Sequence, residues 1–263
     1  PMMRGLYTAA SGMNAMQHQL DVTSNNIANV NSAGFKQDRA EFQDLMYETL
    51  NYTAGQTSQT TMNPTGIDVG LGVRISGIQK NFSQGSLNTT SNTFDLAISG
   101  KGFFQITLPN GETAYSRNGE FKLNSDGAIV NGNGYLLSPE IVIPDNVEDV
   151  SVALDGTVTA TDSTTGESQE LGNITLVDFI NSAGLIPLGN SLFMQSDASG
   201  DAIEGTPDDE QFGSIQQGMV ELSNVTLVTE MVDLITAQRA YEANSKSITT
   251  ADSMLSVVNS LKT

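Results

Sequence analysis

Few residues in this chain are able to do chemistry. It holds one histidine, His18, and no cysteine, which rules out a thiolate nucleophile, a disulfide framework and a thiolate metal site. A Ser-His-Asp arrangement would hinge on His18, which falls on the polar face of a helical segment with no activating group beside it in the sequence. Asp155 and Asp178 offer two carboxylates for acid and base roles in a secreted hydrolase on a β scaffold. The chain has no tryptophan and few other aromatics to make a sugar platform. Gly100-Lys101-Gly102 lacks the spacing of a phosphate loop and the Ser or Thr that should follow the lysine, so it reads as a bend between strands. No catalytic, metal or cofactor-binding set emerges, and the sequence predicts a protein that is not an enzyme.

Composition narrows the partners. The chain has 263 residues, enough for one large domain or two modest ones, with 11 Lys plus Arg against 30 Asp plus Glu, a formal charge of -19. That balance removes the basic surface a nucleic acid needs. It also means that self-assembly has to come from apolar seams strong enough to overcome mutual repulsion. No apolar run is long enough to span a bilayer, so no direct membrane insertion is expected. The start lacks the basic, apolar and small-residue succession of a cleaved secretory signal, and composition alone suggests a cytoplasmic protein.

The two ends carry the elements that would position such seams. Leu6, Ala9, Met13, Met16, Leu20, Thr23, Ile27 and Val30 alternate in steps of three and four. That is a heptad seam, which buries itself best against a second helix. Near the other end Leu227, Met231, Leu234, Ala237, Tyr241, Ser245, Ile248, Ala251, Leu255 and Val258 follow the same spacing, after Ser223 and Asn224 as candidate caps. An ordinary amphipathic core helix would explain either stripe alone. Two of them enclosing a middle of opposite grammar predict helical termini that pair with each other, with methionines tolerating imperfect fit at an interface.

The middle reads as β. Phe94 to Ile98, Phe103 to Leu108, Ala114 to Ser116, Phe121 to Leu123 and Ala128 to Val130 are strand candidates, followed by Val150 to Leu154, Thr157 to Ala160, Ile174 to Phe179 and Ser191 to Gln195. Asn110-Gly111, Asn118-Gly119, Asp126-Gly127 and Asp155-Gly156 supply the positive φ of tight hairpins. Thr164 to Ser168 reads as a polar loop, and Ala198 to Gly213 as a surface loop and nothing more. Between helix and β region, Phe42 to Leu50 suits a further helical stretch. Asn51 to Thr65, polar and Thr-rich, is too long for a simple connector and should run as an extended arm or a disordered linker.

Three contiguous stretches carry a resemblance. Residues 24 to 36, Ser-Asn-Asn-Ile-Ala-Asn-Val-Asn-Ser-Ala-Gly-Phe-Lys, resemble the signature of the flagellar rod and hook family. Physically they read as a helix end, with Asn25, Asn26 and Asn29 able to bond nearby backbone or a neighbouring helix. Gly34 permits the exit and Phe35 anchors the next segment. Residues 236 to 246, Thr-Ala-Gln-Arg-Ala-Tyr-Glu-Ala-Asn-Ser-Lys, are similar to the family's C-terminal helix. Asp95 to Phe104 and Tyr115 to Phe121 resemble its β region. Tyr47 to Arg74, with Gln59, Thr60, Thr61 and Pro64, resembles the extra stretch of the family's distal rod members.

The resemblance implies an α+β fold: paired N- and C-terminal coiled-coil helices, an extended arm and an all-β outer domain. It divides the chain into 1–35 with 222–263 as a discontinuous helical domain lining an inner tube, 36–75 as an intermediate segment with the arm, and 76–221 as the β domain. It implies a structural subunit of the basal-body distal rod, a homo-oligomer in open helical assembly that transmits torque. The inter-subunit seams would be Leu6, Met13, Met16, Leu20, Ile27 and Val30 at one end, and Leu227, Met231, Leu234, Tyr241, Ile248 and Leu255 at the other. The arm, with Asn51, Gln59, Thr60, Thr61 and Pro64, would stiffen the rod. Implied partners are other rod proteins and the hook protein at the two ends, the surrounding ring or bushing proteins and the flagellar type III export apparatus. The implied place is the periplasmic rod of the basal body, crossing toward the outer membrane, reached without a cleaved signal. Other axial members of the family, proximal rod or hook, are the nearest alternative, and a β-rich hydrolase or adhesin is a distant one.

Overall fold

A computed structural model of the chain describes residues 2–51 and 67–260, and the fold is α+β. A long helix opens it, α1 (Met2–Ala28), and a longer one closes it, α2 (Leu227–Ser260). The chain divides into two compact units. The helical unit takes 1–27, 38–79 and 226–263, and the β-rich unit takes 28–37 and 80–225. The signature's second half thus belongs with the strands, whereas the sequence groups 28–35 with the helices.

In the helical unit two antiparallel points of contact join α1 to α2. A Cβ on Gly12 would meet the Asn244 side chain at 2.8 Å, and Asn26 Nδ2 donates to Glu230 Oε2 at 3.2 Å. The two pairs keep one register, so the helices run alongside each other between them. Following α1 come four strands, β1 (Asp38–Asp44), β2 (Tyr47–Asn51), β3 (Ile67–Gly70) and β4 (Val73–Lys80). β1 pairs with β4 and β2 with β3, as two nested ribbons. This corrects the helical reading of Phe42 to Leu50. Phe42, Met46 and Leu50 recur at the four-residue spacing of a helix, but cross-strand pairing outweighs that local pattern. Of the arm, Asn51 ends β2 opposite Ile67. Gln59, Thr60, Thr61 and Pro64 lie outside the described residues.

The β-rich unit is built on an antiparallel sheet. Phe103–Thr107 forms a hairpin with Thr113–Ser116, and its other edge receives Leu136–Ser138 and Leu176–Asp178. A separate three-stranded ribbon joins Val147–Val152, Thr157–Asp162 and Ser168–Asn173. Gly111, Gly127 and Gly156 adopt φ of 83°, 77° and 85°, as their Asn-Gly and Asp-Gly turns require. Asn118-Gly119 is different. Gly119 accepts from Leu96 N at 2.9 Å, and a Cβ there would strike the Leu96 carbonyl, so the glycine serves a close backbone approach and no hairpin. The stretch 198–213 also proves more than a loop: Ile203–Gly205 pairs with Leu176–Asp178, and Ser199 is fully buried.

Period-two alternation on the central strand gives the unit two cores. Phe104 and Ile106 face one, with Leu96, Ile98, Phe121, Leu137 and Ile215, while Phe103 faces the other with Tyr115, Val177, Phe179 and Phe193. Phe104 and Phe121 meet edge to face with ring centres 5.1 Å apart.

Candidate functional site: an unsatisfied helix face and a buried charge cluster

The seams expected on the helices are placed unevenly. On α1 Leu6, Met13, Met16, Leu20 and Ile27 are only half-buried, and Val30 lies beyond the helix end. The fully buried positions are Ala9, Ala15, Val22, Thr23 and Asn26. Ala15, Val22 and Asn26 stand off the expected stripe, so the covered face is turned to one side of it.

On α2 the least exposed positions are Glu230, Leu234, Ala237, Ala240, Asn244, Ile248, Ala251 and Leu255, a line in steps of three and four, with Ser245 beside it. Leu234, Ile248 and Leu255 of the expected seam are on it. Leu227, Met231 and Tyr241 are more exposed, at 43%, 51% and 37%. A second apolar line stands out in the open: Val228, Val232, Ile235, Met254, Val257 and Val258, each more than half exposed. At about 100° per residue Val228, Val232, Ile235 and Val257 fall on the side of the helix away from the covered line, with Met254 and Val258 toward its flank. A helix apolar on two opposite sides needs two neighbours, and α1 supplies only one.

The signature asparagines do separate jobs. Asn26 is 1% exposed; its Nδ2 donates to the Asp38 carbonyl at 2.8 Å and its Oδ1 accepts from Asp38 N at 2.9 Å. It therefore reads the start of β1 from both sides while touching α2 through Glu230. Asn25 donates to Asp38 Oδ2 at 3.2 Å, and Asn29 Oδ1 accepts from Ser32 Oγ at 3.2 Å.

Gly34 and Phe35 belong to the β-rich unit. Gly34 sits at φ 66°, donates to the Glu221 carbonyl at 2.8 Å, and leaves no room for a Cβ against the Arg117–Asn118 backbone. The Phe35 ring lies under Lys80 Nζ at 5.1 Å.

The next residue, Lys36, carries a role that its sequence context does not announce. Its ammonium is fully buried, 2.7 Å from Glu221 Oε1 and 2.8 Å from the Ser83 carbonyl. Glu221 is likewise buried and pairs through Oε2 with Arg117 Nε at 2.9 Å, while Oε1 also accepts from Gly85 N at 2.8 Å. Arg117 spends its other nitrogens on the carbonyls of Gly100 and Gly102. Burial pushes the Lys36 ammonium below its ordinary 10.5, against the pull of Glu221, and Arg117 adds to the push. Arg117 is lowered by burial too, and held up by Glu221. Two cations thus share one carboxylate in a dry setting, an arrangement that is costly to disturb by removing one partner.

Of the two carboxylates considered for catalysis, Asp178 lies near enough to add its charge to the field on Arg117. Asp155 is fully exposed and accepts from Thr157 N at 3.0 Å, which holds its carboxyl below the usual range and shapes a turn. Among the described residues no group of three His, Asp or Glu stands close enough to hold a metal, and no helix is long and apolar enough to cross a membrane.

Three family models match the chain. Residues 6–36 match the family described as flagella basal body rod protein, 97–160 the flagellar hook protein FlgE/F/G D1 domain, and 216–261 the flagellar basal body rod FlgEFG protein C-terminal region. The chain is 44% identical over 263 residues to the flagellar basal-body rod protein FlgG of Borreliella burgdorferi, covering 99% of each. It is 46% identical over 259 residues to FlgG of Agrobacterium fabrum, covering 98% of each. To FlgG of Bacillus subtilis it is 39% identical over 267 residues, covering 99% of this chain and all of that one. The chain belongs to the flagellar basal-body rod and hook family. Its full-length likeness there is to FlgG, and it is a structural subunit of the flagellar distal rod, not an enzyme.

Proposed function

We propose that the chain polymerises into a hollow, rigid drive shaft by open helical stacking, one face of each copy binding a different face of the next. The terminal helices pair as a coiled coil and, with those of neighbouring copies, bundle around a central channel; the β-rich unit makes the outer surface. Torque then passes through many parallel contacts. The observation that carries this reading is the second set of apolar residues on α2, left open among the described residues. A highly acidic chain repels its own copies, so a stable polymer needs apolar contacts of this kind to hold it together.

On this reading the seams Leu6 to Val30 and Leu227 to Leu255 are shared between the chain's own helix pair and its neighbours. The partners are other rod proteins and the hook protein at the two ends of the stack, with ring or bushing proteins around it and the flagellar type III apparatus delivering each copy. The location is the periplasmic part of the basal body, toward the outer membrane. The stretch from Asn51 to Thr65 works as a stiffening arm. Deleting it should leave assembly intact and make the filament more flexible, and an unchanged bending stiffness in electron micrographs would remove that assignment.

The central test is polymerisation of a Val232→Ser, Val257→Ser chain. We expect the β-rich unit to keep its folded signature by circular dichroism while filament formation, followed by light scattering, is lost or needs at least about tenfold more protein. Filaments growing at the wild-type concentration would sink the proposal.

A further inference from the structure

Lys36, Arg117 and Glu221 lie far apart in the chain and meet in one buried site, and the charges there are unequal. Glu221 is the single carboxylate between two cations, and it arrives from the last strand of the unit, Met219–Glu221. Without it, the Lys36 ammonium and the Arg117 guanidinium would face one another in a site stripped of water. The backbone repeats the dependence. Gly34 N donates to the Glu221 carbonyl, and Gln37 N donates to Asn224 Oδ1 at 2.8 Å. The Asn224 amide also reaches the carbonyls of Asn81 and Ser83. Each of these holds on the segment 34–37 therefore comes from residues 80–86 or 221–224.

We infer that this cluster is a closure lock: the signature segment 34–37 docks on the β-rich unit only after residues 221–224 are in place. The carboxylate of Glu221 turns a repulsive pair of cations into a bound one, so docking of the earliest segment is conditional on the latest. A chain still missing its C-terminal part holds its signature open. The inference concerns closure within one unit and stands whether or not the chain polymerises.

Hydrogen exchange on the full-length chain tests this with Glu221→Gln, Lys36→Met and the two combined. The amides of Gly34, Gln37 and Asn81 report on the lock, and those of Ile106 and Ala114, in the central hairpin, serve as reference. Glu221→Gln should speed exchange at the lock by about tenfold or more relative to the reference amides. Adding Lys36→Met to it should restore most of the protection, because the repulsion is removed along with the cation. Ordinary packing gives the reverse order, with the double variant worse than either single one. A double variant as open as Glu221→Gln, or a Glu221→Gln chain with unchanged exchange, overturns the inference. If Glu221→Gln does not fold, recovery of folding in the double variant supports the lock, and failure of both overturns it.

Discussion

The two units solve opposite problems with the same alphabet. The β-rich unit buries its large side chains: Phe104, Phe121, Ile98, Ile106, Leu137 and Ile215 are at most 1% exposed. In the helical unit the buried apolar side chains among the described residues are Ala9, Ala15, Val22 and Ala237, all small. Of its large ones, Tyr7 at 72%, Met46 at 82%, Tyr47 at 59% and Ile235 at 56% are in the open, and Leu6, Met13 and Leu20 are only half-buried. A unit with an interior of alanines gains little from its own collapse, since hydrophobic stabilisation follows the apolar area removed from water. Close helix approach is what small residues provide, and many of the larger ones are left facing outward. The contrast teaches that exposure here is organised by unit, as expected of one part that folds alone and another completed by neighbours.

The largest way to break the comparison is a matched pair of truncations. Phe104→Ala should destabilise the dilute subunit by about 3–5 kcal/mol, because it opens a cavity in a closed core. Ile235→Ala, on the outward face of α2, should change it by no more than about 0.5 kcal/mol. Chemical denaturation of both variants measures this, and similar losses would erase the distinction between the units.

A smaller effect sharpens it. Tyr115 lies in the second core, and burial, with the charge of Glu204 adding, raises its phenol above the ordinary 10.0. The folded chain keeps that proton longer than the unfolded one. Its contribution is therefore intact below pH 10.0 and is lost as pH rises from there toward the folded value. In an alkaline ultraviolet titration a late tyrosinate component should appear and vanish in Tyr115→Phe. A late component that survives the substitution would place the protected phenol elsewhere.

Much of this contrast is legible in the residue order. Both helices are readable from their steps of three and four, and Asn110-Gly111, Asp126-Gly127 and Asp155-Gly156 mark real turns. What misleads is local pattern without its tertiary partner. Phe42, Met46 and Leu50 look helical until β3 and β4 come back to pair, and Asn118-Gly119 looks like a hairpin until Leu96 packs on it. The two-sidedness of α2 is hidden because Met231 and Leu234 fit the expected seam and mask Val228 and Val232 beside them. The charge cluster leaves still less trace. Lys36 and Glu221 are 185 residues apart, and charged residues in a sequence read as surface. The clue it offers is a lysine directly after a Gly-Phe anchor, in a chain with few basic residues.

The pairing of Asn51 with Ile67 has an evolutionary consequence. Because β2 and β3 hold the two ends of the intervening stretch side by side, lineages can lengthen, shorten or replace that stretch as a cassette. Each doubling of its length adds only about 0.6 kcal/mol of closure entropy, and the strands at its base need not shift. If the stretch has the stiffening role proposed for it, mechanical character is then open to adjustment by insertion and deletion at one address, while the remainder of the gene stays under its own constraints.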